Sequence, residues 1–216
     1  MSLDPKRYCQ KFVNLQEEIA SSKFFRVGEV LEPVAGPAFS KEDSAIYRYV
    51  EIQNVGAGDF DFEELRGWQL PQRATLQANA GDFFIAHLWS SAGKWFMAPT
   101  DTSNMLVTNG CGRFQIKSKK KEFLVDLISG LCSEAFRVQL RALTTGSDGL
   151  AEVGDADVCE IVLPRITDQS HRGRLQRYFD TVMNADVRLS KAVGTVLSEI
   201  SDWPRPPRRK SHCALV

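Results

Sequence analysis

The chain has 216 residues, 27 basic against 27 acidic side chains and no net charge at pH 7, with 43% hydrophobic and 25% charged residues. That length holds one sizeable core plus an appendage, and the balance is that of a globular protein, not of a disordered or fibrous one. No apolar run approaches the roughly 20 residues that cross a bilayer, so no membrane partner is expected.

Charge is neutral in sum but not in place. Acidic residues gather in 29–64 and 148–160, basic ones in 113–121, 165–177 and 205–210. Basic clusters in a neutral total fit either a nucleic-acid-facing surface or ordinary solvated charge. The five cysteines form no CxxC pair and no Cys/His cluster. Their odd number and wide spacing predict free thiols in a reducing cytosol, hence a cytoplasmic protein.

In chain order, 1–22 reads as a helix or docking arm, with apolar Phe12, Val13, Leu15 and Ile19. Phe25, Val27 and Val30 predict a strand over 24–31. Ile46 to Ile52 alternates cleanly, Ile46, Arg48, Val50 and Ile52 against Tyr47, Tyr49 and Glu51, which predicts a strand closed by Gly56 and Gly58. Residues 72–77 read as a short helix or turn. The run from Phe83 to Trp89 is too apolar for an edge and predicts a central strand. Ser90 to Lys94 is a small-residue loop, and Trp95-Phe96-Met97 is the returning strand. A further strand pair is expected over 104–107 and 112–116. Phe123, Leu124, Leu127, Ile128 and Leu131 have helical spacing, and a second helix covers 134–143.

Glu160 to Gln169 reads as a buried strand that stops at Pro164 and runs into a helix start. Leu175, Val182, Leu189 and Val196 then recur every seven positions, with Phe179, Val193 and Ile200 as a second line. This is one face of a long helix, which packs on a second copy to give a symmetric dimer, docks on a partner, or folds back on its own domain. Strands in the first half and helices in the second give an α+β class. The expected architecture is a mixed, largely antiparallel twisted sheet with packed helices, followed by the heptad-patterned helix. The divisions are an arm over 1–22, a domain over 23–166, the helix over 167–202 and a basic tail over 203–216.

The chemistry of the chain is that of a binder. There is no Gly-rich cofactor turn, no Asn/Asp-Pro-Pro-Tyr/Phe motif to hold a flipped base, no Walker loop, no HExxH helix and no paired Cys/His set. No metal or cofactor is expected in this chain. His87 sits in an apolar strand and reads as a core residue before a ligand. Cys111, on the turn Asn109-Gly-Cys-Gly112, is the one candidate nucleophile and has no nearby base.

For DNA, side chains must reach base edges while basic groups hold phosphates. Ser90, Ser91 and Lys94 occupy a loop that is either an ordinary hairpin or a close-approach surface. Arg113, Gln115 and Lys117 alternate and share one strand face. Gln115 has the shape to pair bidentately with adenine and Arg113 with guanine. Lys119, Lys120 and Lys121 form either a solvated turn or a positive field toward a nucleic-acid backbone. Arg73, Gln77, Thr102 and Ser147 are secondary candidates, and Trp89 and Trp95 read as packing residues.

The order of these pieces resembles one target recognition domain of the type I restriction-modification specificity subunit. Tyr49-Val-Glu-Ile-Gln-Asn-Val55 is similar to the family's "YIEIGNI" strand, and Ala80-Gly-Asp-Phe-Phe-Ile85 to its "GDILI" strand. Thr145-Gly-Ser147 sits where the family carries a Gly/Thr loop. Ile161-Val-Leu-Pro164 with Asp168-Gln169 resembles its "IPLP…EQ" junction, with a single proline and Asp in place of Glu. The resemblance spans residues 24–200 in the right order.

It implies recognition of double-stranded DNA, with Thr145 and Ser147 joining the candidate contacts. It also implies a partner adenine methyltransferase that carries the S-adenosylmethionine, with or without a nuclease, and a spacer helix after residue 166. One recognition unit and one spacer helix make either a half-subunit that dimerises or the tail of a longer fusion. The rival readings are a protein-interaction adaptor that uses the long helix without touching DNA, and a cysteine enzyme built on Cys111.

Overall fold

The computed structural model of the protein describes residues 14, 15, 17, 19, 23–36, 40–145 and 151–183. Fifteen α-helices and strands are described between residues 24 and 183. The chain runs β1 (Phe24–Arg26), a one-turn α1 (Val27–Val30), β2 (Leu31–Pro33), β3 (Ile46–Val50), β4 (Glu63–Arg66), β5 (Ala74–Gln77), β6 (Phe83–Ala86), β7 (Trp95–Met97), β8 (Met105–Thr108) and β9 (Cys111–Ile116). Then come α2 (Leu124–Leu131), α3 (Glu134–Leu143), α4 (Asp155–Glu160), β10 (Val162–Pro164) and α5 (Gln169–Met183).

The α+β class and the largely antiparallel pairing are as expected, but the single sheet is divided. One four-stranded sheet has the order β2-β9-β6-β7, a second the order β4-β3-β8-β5, and β1 pairs with β10 in a ribbon. Only β3 and β8 run parallel among these pairs. The expected pairing of 104–107 with 112–116 is therefore corrected: β8 and β9 go to different sheets. Residues 74–77 form an edge strand rather than a helix or turn. The strand expected over 24–31 is interrupted by α1, which turns the chain from the ribbon into the first sheet.

β6 explains the layering. Every side chain in Phe83-Phe84-Ile85-Ala86 is buried, because alternate residues serve two cores. Phe83 and Ile85 face Trp95, Phe114 and the helical residues Leu127, Leu131, Phe136 and Leu140. Phe84 and Ala86 face Val50, Phe96, Met105 and Val107, between the two sheets. Tyr47, Tyr49, Leu70 and Leu106 close the far side of the second sheet.

Caps and turns set the ends. The Ser133 hydroxyl accepts a hydrogen bond from Phe136 N and starts α3. Gly93 has φ +92°, and a Cβ there would run into the aliphatic stem of Arg137, so this position requires glycine twice over. The β1–β10 ribbon is extended by Arg165 N donating to Lys23 O at 2.9 Å.

The heptad line begins inside the domain. Leu175 is buried against Val125 and Ile166. Asp126 of α2 fixes this junction, accepting from Ile166 N at 3.0 Å and pairing with Arg172 of α5 at 2.8 Å. For Leu175 the reading as a seam toward another helix is therefore corrected, since its side chain is spent on its own domain. The helix backbone continues through Phe179 and Val182. Leu189, Val193, Val196 and Ile200 lie outside the described residues, as does Ser147. No helix among the described residues is long and apolar enough to cross a membrane.

Candidate nucleic-acid interface

Register sorts the candidate residues into two groups. β6 and β9 are antiparallel, with Ala86 opposite Cys111 and Phe83 opposite Phe114. The segments after β6 and before β9 therefore share one end of the sheet. The segments before β6 and after β9 share the other. β9 has six residues, so the ends lie about 20 Å apart at ~3.4 Å per residue.

The first end gathers Ser90, Ser91, Lys94, Arg73 and Thr145. Ser90 is exposed on a 3-10 turn over Trp89–Ser91, while Ser91 is buried. The turn is held from behind: Trp89 N donates to Ala151 O at 2.9 Å, and Thr145 N to Glu152 O at 2.8 Å, with Leu88 bridged to Glu152. Lys94 turns its ammonium onto Ile52 O at 2.9 Å, tying this loop to the turn after β3. Trp95 is core, as expected. Trp89 is 42% exposed and carries the Arg141 guanidinium over its ring at 5.2 Å, so it is a surface platform and not packing.

A buried carboxylate organises the same end. Glu51 Oε2 accepts from Tyr49 Oη at 2.8 Å and pairs with Arg73 Nη2 at 2.8 Å, while Oε1 accepts from Ile52 N at 3.0 Å. Burial first, and the hydrogen bond to Glu51 second, push the Tyr49 phenol above its ordinary value, so it remains a donor. The Glu51 side chain is 8% exposed and that of Arg73 is 57% exposed. The pair thus joins an inside charge to an outside one.

Asp82 plays the matching part at the opposite end. Its Oδ2 accepts from Arg113 Nε at 2.6 Å and its Oδ1 from Gln115 Nε2 at 2.8 Å. It also accepts from Asn79 N at 2.8 Å, which shapes the turn leading into β6. Arg113 and Asp82 have side chains only 3% and 1% exposed. This corrects the expectation for Arg113, whose guanidinium lies inside the domain and faces no groove. Gln115 is partly exposed, and because a carboxylate only accepts, one of its two amide N–H donors is committed to Asp82, leaving the other and the carbonyl.

Lys117 donates to Gly28 O, and Lys120 and Arg165 both lie over the Phe123 ring, at 4.9 Å and 4.6 Å. Lys119 is exposed, and Lys121 follows in the same 3-10 segment. A cleft of about 410 Å³ near Lys117 is lined by Arg26, Glu29, Glu32 and Glu160. Three carboxylates against two cations suit a nucleic-acid backbone poorly.

The remaining candidates fall away from chemistry. Cys111 is buried at the start of β9, and burial, reinforced by the charge of Glu51, pushes its thiol up to about 12. The reading of it as a reactive turn cysteine is overturned, because the thiolate is the nucleophile. His87 is partly buried, and its Nε2 lies 2.9 Å from Asp155 Oδ1. Neither atom has hydrogen-bonding geometry there. Gly112 is the floor beneath them, since a Cβ would collide with both.

Sequence reasoning passed over Glu51, Asp82 and Asp126. The signal was present for the first two, in a carboxylate set within Tyr49-Val-Glu-Ile52 and in Gly81-Asp82 ahead of four apolar residues.

No protein-family profile matches the sequence, and no curated protein matches it. Solved structures do. A chain of a type I restriction-modification complex matches at TM-score 0.53 and 22% identity, over 82% of this chain and 45% of that one. The HsdS subunit from Thermoanaerobacter tengcongensis matches at TM-score 0.55 and 22% identity, over 82% of this chain and 46% of that one. The chain therefore shares their fold and spans less than half the length of either.

Proposed function

We propose that this chain, with the fold of type I restriction-modification specificity subunits, recognises a defined duplex DNA sequence and delivers a partner adenine methyltransferase to it. The observation that supports this reading is the fold likeness to the HsdS subunit, over 82% of the chain at TM-score 0.55. The loop end that joins Ser90, Lys94, Arg73 and Thr145 is the base-facing surface. Exposed polar side chains there stand on a turn fixed from behind, the arrangement that reading base edges demands. Lys119, Lys120 and Lys121, at the other end of the sheet, supply phosphate contacts, with Lys117 and Gln115 at their margin. Methylation, with its S-adenosylmethionine, belongs to the partner.

The continuation of α5, through Phe179, Val182, Leu189, Val193, Val196 and Ile200, sets the distance to a second recognition unit or docks the methyltransferase. Selection from a randomised duplex library at two salt concentrations, with the solution mass recorded, tests the proposal. An enriched motif with steep salt dependence is expected. No enrichment, alone or with a methyltransferase subunit, overturns it in favour of an adaptor.

A further inference from the structure

Resting on that reading, we infer that Arg73 reads a guanine in the target site and that Glu51 is the residue that aims it. Arg73 is fixed at both ends. Its carbonyl accepts from Asn109 N at 2.8 Å, and its Nη2 is held by the Glu51 carboxylate at 2.8 Å. Glu51 is itself fixed, by the Tyr49 phenol and by Ile52 N. More than half of the arginine side chain stays exposed. With one N–H committed, the guanidinium still presents donors on its outward edge, in a plane it does not choose freely.

Two physical arguments separate guanine from phosphate as the target. The first is charge. Arg73 and Glu51 form a neutral pair, so the long-range pull on a phosphate is largely cancelled, while the directional N–H donors remain. The second is geometry. A phosphate tolerates a swinging cation, whereas the O6 and N7 acceptors of guanine need a fork in a set plane. Clamping costs side-chain entropy before binding and removes that cost at binding. Lys94 contributes through the backbone it ties down, at Ile52 O.

The test uses the full chain and a duplex panel built on the selected motif, each base pair replaced in turn. Three variants are compared: Arg73→Ala, Arg73→Lys and Glu51→Gln. Thermal melts confirm that each is folded. Arg73→Lys keeps a cation on Glu51, so it remains informative where Arg73→Ala unfolds. In the wild-type protein, replacing one guanine weakens binding about tenfold to a hundredfold. In Arg73→Lys that penalty falls to about twofold while penalties at the other positions stand. Glu51→Gln lowers the penalty at the same base pair and no other, which a merely stabilising role would not do.

Equal weakening of every duplex by Arg73→Ala, with a smaller salt dependence and an unchanged guanine penalty in Arg73→Lys, would make Arg73 a phosphate contact and overturn the inference. An unchanged guanine penalty would overturn it too. Both results leave DNA recognition standing. A wild-type protein that selects no motif removes the recognition reading, and this inference with it.

Discussion

Asp82 and Arg113 form a salt bridge of 2.6 Å whose two side chains are almost wholly withdrawn from solvent. A lone charge at either position has no water to turn to, so removing one partner costs far more than the pair contributes. Asp82→Ala is expected to destabilise the domain by about 3–5 kcal/mol. Replacing both, as Asp82→Leu with Arg113→Met, is expected to cost less than either single change. Denaturant melts of the three variants decide it, and simple additivity would contradict the account.

Lys119 is exposed beside the basic segment. Lys119→Ala is expected to weaken all duplexes alike and to reduce the slope of log affinity against log salt by about one. A change in preference at particular base pairs would instead give it a reading role.

Asp126 joins α5 to the domain through Ile166 N and Arg172. Asp126→Ala leaves a buried N–H unmet, which costs about 2 kcal/mol. Hydrogen exchange is expected to speed up in 166–175 before the sheets are affected. Unchanged protection there would show that Leu175 packing alone holds the helix.

The thiols give a pH signature. Burial pushes Cys111 and Cys132 up from 9.0 to about 12. A raised folded-state value means that stability is complete below pH 9 and declines as pH climbs toward 12, because the unfolded chain ionises first. The decline is about 1.4 kcal/mol per pH unit for each thiol. Below that range both thiols should resist iodoacetamide until the domain unfolds, as read by peptide mass spectrometry. Alkylation of native Cys111 at pH 8 would restore it as a candidate nucleophile.

What the sequence disclosed was local. The alternation around Tyr49 and the apolar run at Phe83 were legible because each strand's burial follows from its own residues. The helical spacing from Phe123 to Leu131 was legible for the same reason. The division into two sheets was not, since β8 and β9 adjoin in the sequence and only their distant partners separate them. Arg113 failed as a surface residue for a related cause. Alternation assigns a face, and that face proved to be the gap between sheets, closed by Asp82 from the turn before β6. Thr145 lies far along the chain from Ser90 and Lys94 and meets their loop because Ala151 and Glu152 hold the Trp89 turn and Thr145. Sequence spacing carries no trace of that contact.

The β1–β10 ribbon sets Lys23 beside Arg165, so the polypeptide enters and leaves the unit at neighbouring points. Everything in between is topologically a detour from one continuing path. Another detour with the same closing ribbon would fit the same path without altering the reach of whatever follows. On the proposed reading, exchange of the whole unit at junctions near 23 and 165 is expected to change the recognised sequence and leave that reach intact.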